Sequence, residues 1–441
     1  MNLRINFIKL QRKLQEVSNT WTKEITPFLP ENLEEIAKET GLLYRKRGIT
    51  STPDILKVFF LYAVSGISFR MLAAAAHGLQ ISSISDTAWR KKLSKGAPFL
   101  RNLLNTMLSS YDWCSNAGFF ENKNVLLIDG SIIRQNGKKQ HQQRIHLCYS
   151  LNHNQMDQIH VTDHHTAESF EPFSLKKEDL VLADAGYGKA RNYAYAREQG
   201  CDVILRITPS HFRMEDQDGK IIDLESILRK AKKNGEQTIE QTGFCQYKNK
   251  RYFVRVIAQE LPKGKAEAAR KRKKRKARKT QCNIQEKTLL YADYVIVITS
   301  LGMEYDREEI LYLYRSRWQV ELLLKRFKQN LQITTIRMAN ECYAESMVLL
   351  WLILWTMTEQ KRIRRESMLK KKEERIRKIN ISCWEESKLD FLQIKEILCL
   401  SWSRFVDVNN EGFYRFLSMR NRHRINQNHE FHMVILPGLI S

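Results

Sequence analysis

The sequence predicts a mixed α/β domain that follows a helical region and precedes further helices. Residues 1–120 carry apolar side chains at helical spacing, as in NLEEIAKETGLL and DILKVFFLYAVSG. From residue 124, short runs rich in Val, Ile, Leu and Tyr alternate with turn residues, which indicates strands. Farther along, strand patterns alternate with helical patterns, as expected of an α/β fold.

Composition narrows the class of protein. The chain has 441 residues and a formal charge of +24, which favours two to four domains and a polyanionic partner, nucleic acid before membrane. Its eight cysteines form no C-x-x-C pair and are interpreted as reduced thiols. The longest apolar run, 347–357, is shorter than the ~20 residues that span a bilayer. The N-terminus is a charged amphipathic stretch rather than a signal peptide, so we expect a cytoplasmic protein.

Residues 67–96 have the pattern of two helices joined by a turn at Gly78. The second helix ends in a basic cluster: Arg90, Lys91, Lys92 and Lys95. One interpretation is a helix-turn-helix that meets DNA through Arg90 and Lys91. The alternative is a helical bundle with a basic rim.

Two aspartates follow predicted strands. NVLLIDGS places Asp129 near the end of a first strand, and RIHLCYSL and QIHVTD complete a three-strand meander. DLVLADAGYG gives a fourth strand that ends in Asp184 and turns at two glycines. Each aspartate alone could be a turn or capping residue.

A helix-like stretch, YRSRWQVELLLKRFK at 314–328, places four polar residues on one face roughly 60° wide. These are Tyr314, Arg317, Glu321 and Lys328. An apolar stripe runs beside them: Leu313, Val320, Leu324, Phe327 and Leu331. The alternative to a functional row is a solvated charged face with supporting ion pairs one turn apart.

The spacing Tyr-x2-Arg-x3-Glu-x6-Lys resembles the signature of bacterial insertion-sequence transposases of the DDE type. The resemblance implies a ribonuclease-H-like catalytic core, a mixed sheet flanked by helices, with Asp129, Asp184 and Glu321 as the catalytic acids. It also implies that the first and fourth strands lie side by side. Asp163 and Glu168 are interpreted as structural or substrate-positioning residues.

The resemblance also implies a domain plan. Residues 1–120 form a helical DNA-binding domain that grips the transposon end, and 121–365 form the catalytic domain. An insertion at about 208–292 is mostly β, and 366–441 form a C-terminal helical region and tail. Within the insertion, nine of the ten residues from 270 to 279 are basic. We expect a mobile arm that meets phosphates, and nuclear targeting is the alternative interpretation.

The three acids suggest metal chemistry, because carboxylates without His or Cys suit Mg²⁺ or Mn²⁺. We expect two ions, with Asp129 bridging both and Asp184 and Glu321 each holding one. Arg317, Lys328 and Lys325 would meet DNA phosphates, and Tyr314 would hydrogen-bond one. Trp318 is expected to pack as an aromatic, with stacking on a displaced base as the alternative.

The resemblance implies cut-and-paste transposition, which we expect to take place in the bacterial cytoplasm, at the nucleoid. The partners would be double-stranded DNA (terminal inverted repeats and target) and a second copy of the chain in a homodimer. A catalytically silent DNA-binding regulator is one alternative. A ribonuclease-H-like nuclease is another, which the long N-terminal region and the insertion disfavour.

Overall fold

The computed structural model describes residues 20–43, 48–49, 51–109, 123–135, 142–153, 155–163, 165–333, 335–336, 340–372 and 383–403. The predicted C-terminal tail beyond 403 lies outside these residues. The chain divides into two compact units. One contains residues 1–19, 45–92 and 397–441, and the other contains 20–44 and 93–396. The domain boundaries at 120 and 365 stay predictions.

The described residues before the first strand include the helices α1 Leu33–Glu39, α2 Thr52–Ser65, α3 Phe69–Gly78, α4 Asp86–Ser94 and α5 Ala97–Ser109. In the smaller unit, Ser51 caps α2 by accepting the Asp54 N–H at 3.3 Å. The Phe59 ring meets Trp89 of α4 edge-on, at 6.2 Å between centroids. α3 ends at Gly78, and the positive φ of the following turn falls on Gln80.

The sheet of the larger unit has eight strands in the order β3-β2-β1-β4-β5-β8-β7-β6. They are β1 Asn124–Arg134, β2 Gln142–Ser150, β3 Gln155–Asp163, β4 Asp179–Ala183, β5 Asp202–Arg206, β6 Thr238–Tyr247, β7 Lys250–Glu260 and β8 Tyr294–Thr299. β1, β2 and β3 form the predicted meander, which is antiparallel, and β4 lies beside β1 as the resemblance implied, in a parallel pairing. The predicted mixed α/β sheet is therefore confirmed.

One strand boundary was predicted wrongly. Asp129 was expected near the end of β1, but it lies in the middle, because antiparallel pairing with β2 continues to Arg134. The parallel pairing with β4 stops earlier, at Ile128 opposite Ala183. Asp129 therefore marks the point where β4 leaves β1.

The remaining helices are α6 Ala190–Glu198, α7 Leu224–Asn234, α8 Lys263–Lys279, α9 Glu286–Ala292, α10 Arg307–Ser316, α11 Trp318–Asn330, α12 Glu341–Lys372 and α13 Cys383–Ser403. The apolar stripe predicted for 313–331 is buried throughout. The apolar run 347–357 lies inside α12 and is buried except at Trp351. Within the described part of the chain, no helix combines the length and apolarity that crossing a membrane needs.

The insertion at 208–292 was predicted to be mostly β, which is only partly right. The β6–β7 hairpin turns at Lys248 and Asn249, both with positive φ, and β7 pairs with β8, so the hairpin extends the main sheet. The stretch also contains three helices, α7, α8 and α9.

The mobile-arm prediction for 270–279 was wrong, because these residues form the second half of helix α8. Lys, Arg and Ala all have high helix propensity, so the run favours a helix as soon as one side is held. Ala266 is buried, and Arg270 Nη1 pairs with the buried Asp293 Oδ1 at 2.5 Å. These two contacts fix the helix to the domain.

Candidate active site

Asp129 and Asp184 directly follow the stretch in which β1 and β4 pair in parallel. Each comes one residue after the last parallel pair, Ile128 with Ala183. The Gly130 N–H donates a hydrogen bond to Asp129 Oδ1 at 2.8 Å. Asp184 Oδ1 is buried and has no hydrogen-bond partner among the described residues. A buried carboxylate oxygen without a partner is unfavourable unless a donor or cation binds it.

The electrostatics of this pair favour a cation. Burial raises the pKa of Asp129 to about 6, and the Gly130 hydrogen bond and the Arg317 guanidinium oppose this rise. Glu321 and Asp184 raise the pKa of Asp129 further through charge repulsion. The three acids therefore lie close enough to influence one another.

The predicted single helix over 314–328 is interrupted at Arg317, which separates α10 from α11. Arg317 keeps right-handed helical angles, φ −50° and ψ −28°, so the chain continues in the same direction. Its N–H bonds to Tyr314 O, and the Val320 N–H bonds to Arg317 O, each at 3.2 Å. These bonds span three residues and so tighten the turn without ending the helical path.

Tyr314, Arg317 and Glu321 still lie on one face of the helical path, as predicted. Arg317 Nη2 donates to Glu321 Oε1 at 2.6 Å, and the Arg317 guanidinium carbon lies 5.7 Å from the Tyr314 ring centroid. Arg317 is 9% exposed and Tyr314 is 8% exposed. Burial lowers the pKa of Arg317, but Tyr314, the hydrogen bond to Glu321 and the charge of Asp184 together hold that pKa above its ordinary value.

Lys328 connects α11 to the strand that carries Asp129. Its Nζ donates to Ile132 O of β1 at 2.9 Å. Burial lowers the pKa of Lys328, and the negative charge of Asp129 opposes that shift. A second bond follows the helix, because the Ile336 N–H donates to Arg134 O at 2.9 Å. The long extension of β1 past Asp129 therefore holds α11, the helix of the Tyr-Arg-Glu-Lys signature (the signature helix), in place.

Glu168 is a fourth carboxylate beside the aspartates. A Cβ added at Gly186 would lie 1.7 Å from Glu168 Oε2, and one added at Gly130 would lie 3.4 Å from Oε1. Asn192 Nδ2 donates to Glu168 O at 3.1 Å and to Tyr187 O at 3.0 Å, which fixes both turns. Gly186, two residues after Asp184, is the sequence signal that the Glu168 side chain comes close to the backbone here. The structural or substrate-positioning role of Glu168, like that of Asp163, stays a prediction.

Sequence reasoning did not find the buried pair behind the site. His146 Nδ1 lies 3.2 Å from Tyr187 Oη, and His146 Nε2 lies 2.9 Å from Thr162 Oγ1. Burial lowers the pKa of His146 to about 4, so it is neutral at pH 7. The Tyr187 ring also stacks on Phe170, with 5.3 Å between centroids. These residues belong to no motif, so only the folded structure relates them.

The other residues predicted to contact DNA lie on several different helices. Trp318 is 60% exposed, so its expected packing role is wrong. It lines a cavity of about 1150 Å³ together with Tyr314 and Arg317. Lys325 is exposed, and its Nζ lies 5.9 Å from the Trp384 ring centroid of α13. Arg90 and Lys91 are exposed on α4, and their predicted DNA contact stays a prediction.

The donor set partly fits a divalent metal ion. Asp129 and Asp184 provide the oxygen ligands that Mg²⁺ and Mn²⁺ prefer, and Asp184 Oδ1 has no hydrogen-bond partner among the described residues. Nevertheless, no group of three His, Cys, Asp or Glu side chains in the described ranges could hold a metal ion. The third carboxylate, Glu321, accepts a hydrogen bond from Arg317 Nη2 through Oε1.

Comparison with known families decides the class. Residues 121–357, more than half of the chain, match the model of the transposase DDE domain. The chain belongs to the DDE transposase family. Transposases of this family act on DNA, have a ribonuclease-H-like core and generally use divalent metal ions. The sequence resemblance to insertion-sequence transposases is therefore confirmed.

Relatives from Escherichia coli and Bacillus thuringiensis agree with this family assignment. The putative transposase InsL for insertion sequence element IS186A of Escherichia coli (strain K12) is 29% identical over 316 residues, covering 70% of this transposase and 84% of the relative. The transposase for insertion sequence element IS421 of Escherichia coli is 29% identical over 317 residues, with the same coverage. The transposase for insertion sequence element IS231C of Bacillus thuringiensis subsp. berliner is 24% identical over 364 residues, covering 74% and 75%.

Proposed function

We propose that this transposase excises its insertion sequence by cutting DNA at both ends and joins the freed 3′-hydroxyls to target DNA. The observation that carries this proposal is the meeting of β1, β4 and α11. Asp129 in β1 and Asp184 after β4 each follow the last parallel pair of these two strands, and Lys328 fixes the helix that carries Glu321 to the same β1 strand. This arrangement supports the proposal that three acids from distant parts of the sequence act together.

Asp129, Asp184 and Glu321 are the proposed catalytic residues and the ligands of two Mg²⁺ or Mn²⁺ ions. Bound divalent ions would activate the attacking water or 3′-hydroxyl and stabilise the leaving oxygen. The chain contributes the oxygen donors, among them Asp184 Oδ1, which has no hydrogen-bond partner among the described residues. Glu168, between Gly130 and Gly186, is proposed to keep both aspartates in position.

Arg317, Lys328 and Tyr314 form the proposed phosphate site. Arg317 Nε and Nη1 and Tyr314 Oη are buried, and none has a partner within the described part of the chain. A planar guanidinium can hold a phosphate with two parallel hydrogen bonds, and Lys328 would add a point charge. A phosphate that engages Arg317 would compete with Glu321 for the guanidinium and release that carboxylate toward the aspartates.

Further DNA contacts are proposed at the periphery. Trp318 is exposed and would stack on a displaced base, and Lys325 would meet the backbone. Residues 1–120, through Arg90 and Lys91, would grip the terminal inverted repeat. We propose a homodimer that pairs two ends, acting at the bacterial nucleoid.

Product analysis tests this proposal. A supercoiled plasmid carrying a marker between the two element ends is incubated with the protein, and the DNA ends are mapped. Double-strand breaks at both ends and a free excised element are expected. Single nicks that mature only into branched joint molecules would overturn the cut-and-paste route. Specific end binding with no cleavage at all would identify a silent regulator.

A further inference from the structure

A basic groove leads away from Asp184. It is a cavity of about 480 Å³ between helix α8 and the segment that follows β5. Among the described residues that line it, five are cationic: Arg206, Arg272, Lys273, Lys276 and Lys287. Asp184, a proposed catalytic carboxylate, therefore lines a cavity that is rich in positive charge.

Helix geometry explains which cations face the groove. Ala269, Arg272, Lys273 and Lys276 are spaced by three, four and seven residues, so they share one face of α8. At about 100° per residue, Lys271, Lys274 and Arg278 point to the opposite face. The ten-residue basic run thus has an inner face and an outer face of similar charge.

The inner face is held in place. Asp293 is buried, and it pairs with Arg270 Nη1 at 2.5 Å and with Lys232 Nζ at 2.6 Å. Ala266, one turn earlier in α8, is also buried. Helix α8 therefore presents its cations from a fixed position, which lowers the entropic cost of binding.

A second observation points to a ligand. Tyr294 lines the same groove and is 1% exposed, yet its hydroxyl has no hydrogen-bond partner in the described ranges. Burial raises the pKa of Tyr294 to about 12, so the hydroxyl keeps its proton and can donate it. A buried donor without a partner is unfavourable unless an acceptor arrives.

We propose that this groove binds the sugar-phosphate backbone of one DNA strand where it continues past the phosphate cut at Asp184. The inference rests on the proposed function for the identity of that strand. The cavity has the volume of a drug-sized ligand, so the stretch of strand that it holds is short. The inner-face cations neutralise phosphates, and Tyr294 donates to a phosphate oxygen.

Two matched triple variants test the groove. The inner variant carries Arg272→Gln, Lys273→Gln and Lys276→Gln, and the outer variant carries Lys271→Gln, Lys274→Gln and Arg278→Gln. Each removes one Arg and two Lys, and Gln keeps a high helix propensity. Binding of a short fluorescein-labelled DNA single strand is followed by anisotropy over a range of NaCl concentrations.

The salt dependence of binding distinguishes contacts within the groove from a general attraction of DNA to the positive charge of α8. Each lost single-strand phosphate contact lowers the slope of log K against log salt by about 0.7, so the inner variant should lose roughly 2. The outer variant should stay close to wild type. Equal losses in the two variants would overturn the groove. Tyr294→Phe should weaken binding about threefold to tenfold without changing the slope, because a neutral hydroxyl releases no counterion.

Cleavage assays keep the two proposals apart. Asp184→Asn should stop cleavage and leave the salt slope unchanged. If Asp184→Asn still cleaves, the proposed function fails, whatever the slopes show. If Asp184→Asn is inactive but the inner and outer variants bind alike, the groove fails and the proposed function stands. Lys287→Gln, on α9, tests the groove without altering α8 and should lower the slope by about 0.7.

Discussion

Arg317 Nη2 donates a hydrogen bond to Glu321 Oε1 at 2.6 Å, across one turn of the signature helix. Two further N–H groups of Arg317 are buried without a partner among the described residues. The guanidinium therefore holds the third proposed catalytic acid while keeping donors available for a phosphate. DNA arrival and assembly of the acid cluster would then be coupled through one side chain.

Arg317→Lys tests this coupling. Lysine keeps the charge but cannot hold a carboxylate and a phosphate through a planar fork, so cleavage should fall on the order of 10²- to 10³-fold. Arg315→Lys is the control, because Arg315 is exposed in the same turn. Rates are measured at saturating DNA. Equal rates for Arg317→Lys and wild type would contradict a role for the guanidinium fork.

Asp129→Asn should stabilise the metal-free protein at neutral pH. The folded state raises the pKa of Asp129 from 3.8 to about 6, so it binds the proton more tightly than the unfolded chain does. The free energy of unfolding therefore falls as pH rises from about 4 to about 6, and Asn avoids this loss. The expected gain is on the order of 2 kcal/mol above about pH 6, and it should vanish near pH 4.

Urea unfolding in a chelating buffer at both pH values measures this gain. Asp163→Asn is the control with the opposite sign. Hydrogen bonds from the Thr166 hydroxyl and N–H lower the pKa of Asp163, so its ionised form is favoured in the folded state. That contribution is lost as pH falls, so Asp163→Asn should be less stable than wild type at neutral pH only. A neutral or negative effect of Asp129→Asn would contradict the buried, unfavourable carboxylate.

Two glycines after Asp184 should respond differently to alanine. Gly186→Ala meets the tip of the Glu168 side chain, which can swing away, so stability should change little while cleavage falls. Gly188→Ala meets the backbone O of Arg206 at 2.2 Å, which cannot move without shifting β5. It should cost about 1–3 kcal/mol. Gly264→Ala, with open space around it, is the control.

Thermal unfolding and cleavage measured on the same samples separate these effects. If Glu168 positions the aspartates, adding Glu168→Ala to Gly186→Ala removes the clash but does not restore cleavage. Full activity of the double variant would show that Glu168 is dispensable.

Trp318→Ala should reduce activity without destabilising the fold. Trp318 is 60% exposed, so truncation should change stability by less than about 0.5 kcal/mol. Loss of stacking on a base costs about 1–3 kcal/mol, which corresponds to roughly tenfold to hundredfold in cleavage. Tyr312→Ala is the matched control, because Tyr312 is 66% exposed on α10. The stacking role would be refuted if both variants retained wild-type cleavage rates.

The elements that carry the three proposed catalytic acids were predictable because their signals are local. Strand patterns before Asp129 and Asp184, and helical spacing from Tyr314 to Lys328, each follow from side-chain periodicity. The family resemblance then supplied the order of the strands. The interruption at Arg317 was not predictable, since a local tightening of the helix leaves the spacing of side chains unchanged.

Features that depend on distant contacts escaped prediction. The basic run in α8 resembles a solvated arm until Asp293, far away in sequence, pairs with Arg270. β1 extends past Asp129 because β2 pairs with it, and Glu168 approaches through a loop without regular structure. The exposure of Trp318 also could not be predicted, because it depends on which neighbouring elements cover the side chain in the folded protein.

Excision of a marked element in Mg²⁺ by wild type and by Glu321→Gln tests the central claim most directly. Gln keeps an oxygen that can accept the Arg317 hydrogen bond but lacks the negative charge, so folding and end binding should persist. The account predicts cleavage by wild type and at least a ~10³-fold loss in the variant, as for removal of an essential catalytic group. Cleavage by Glu321→Gln at the wild-type rate would contradict it and remove this helix from the active site.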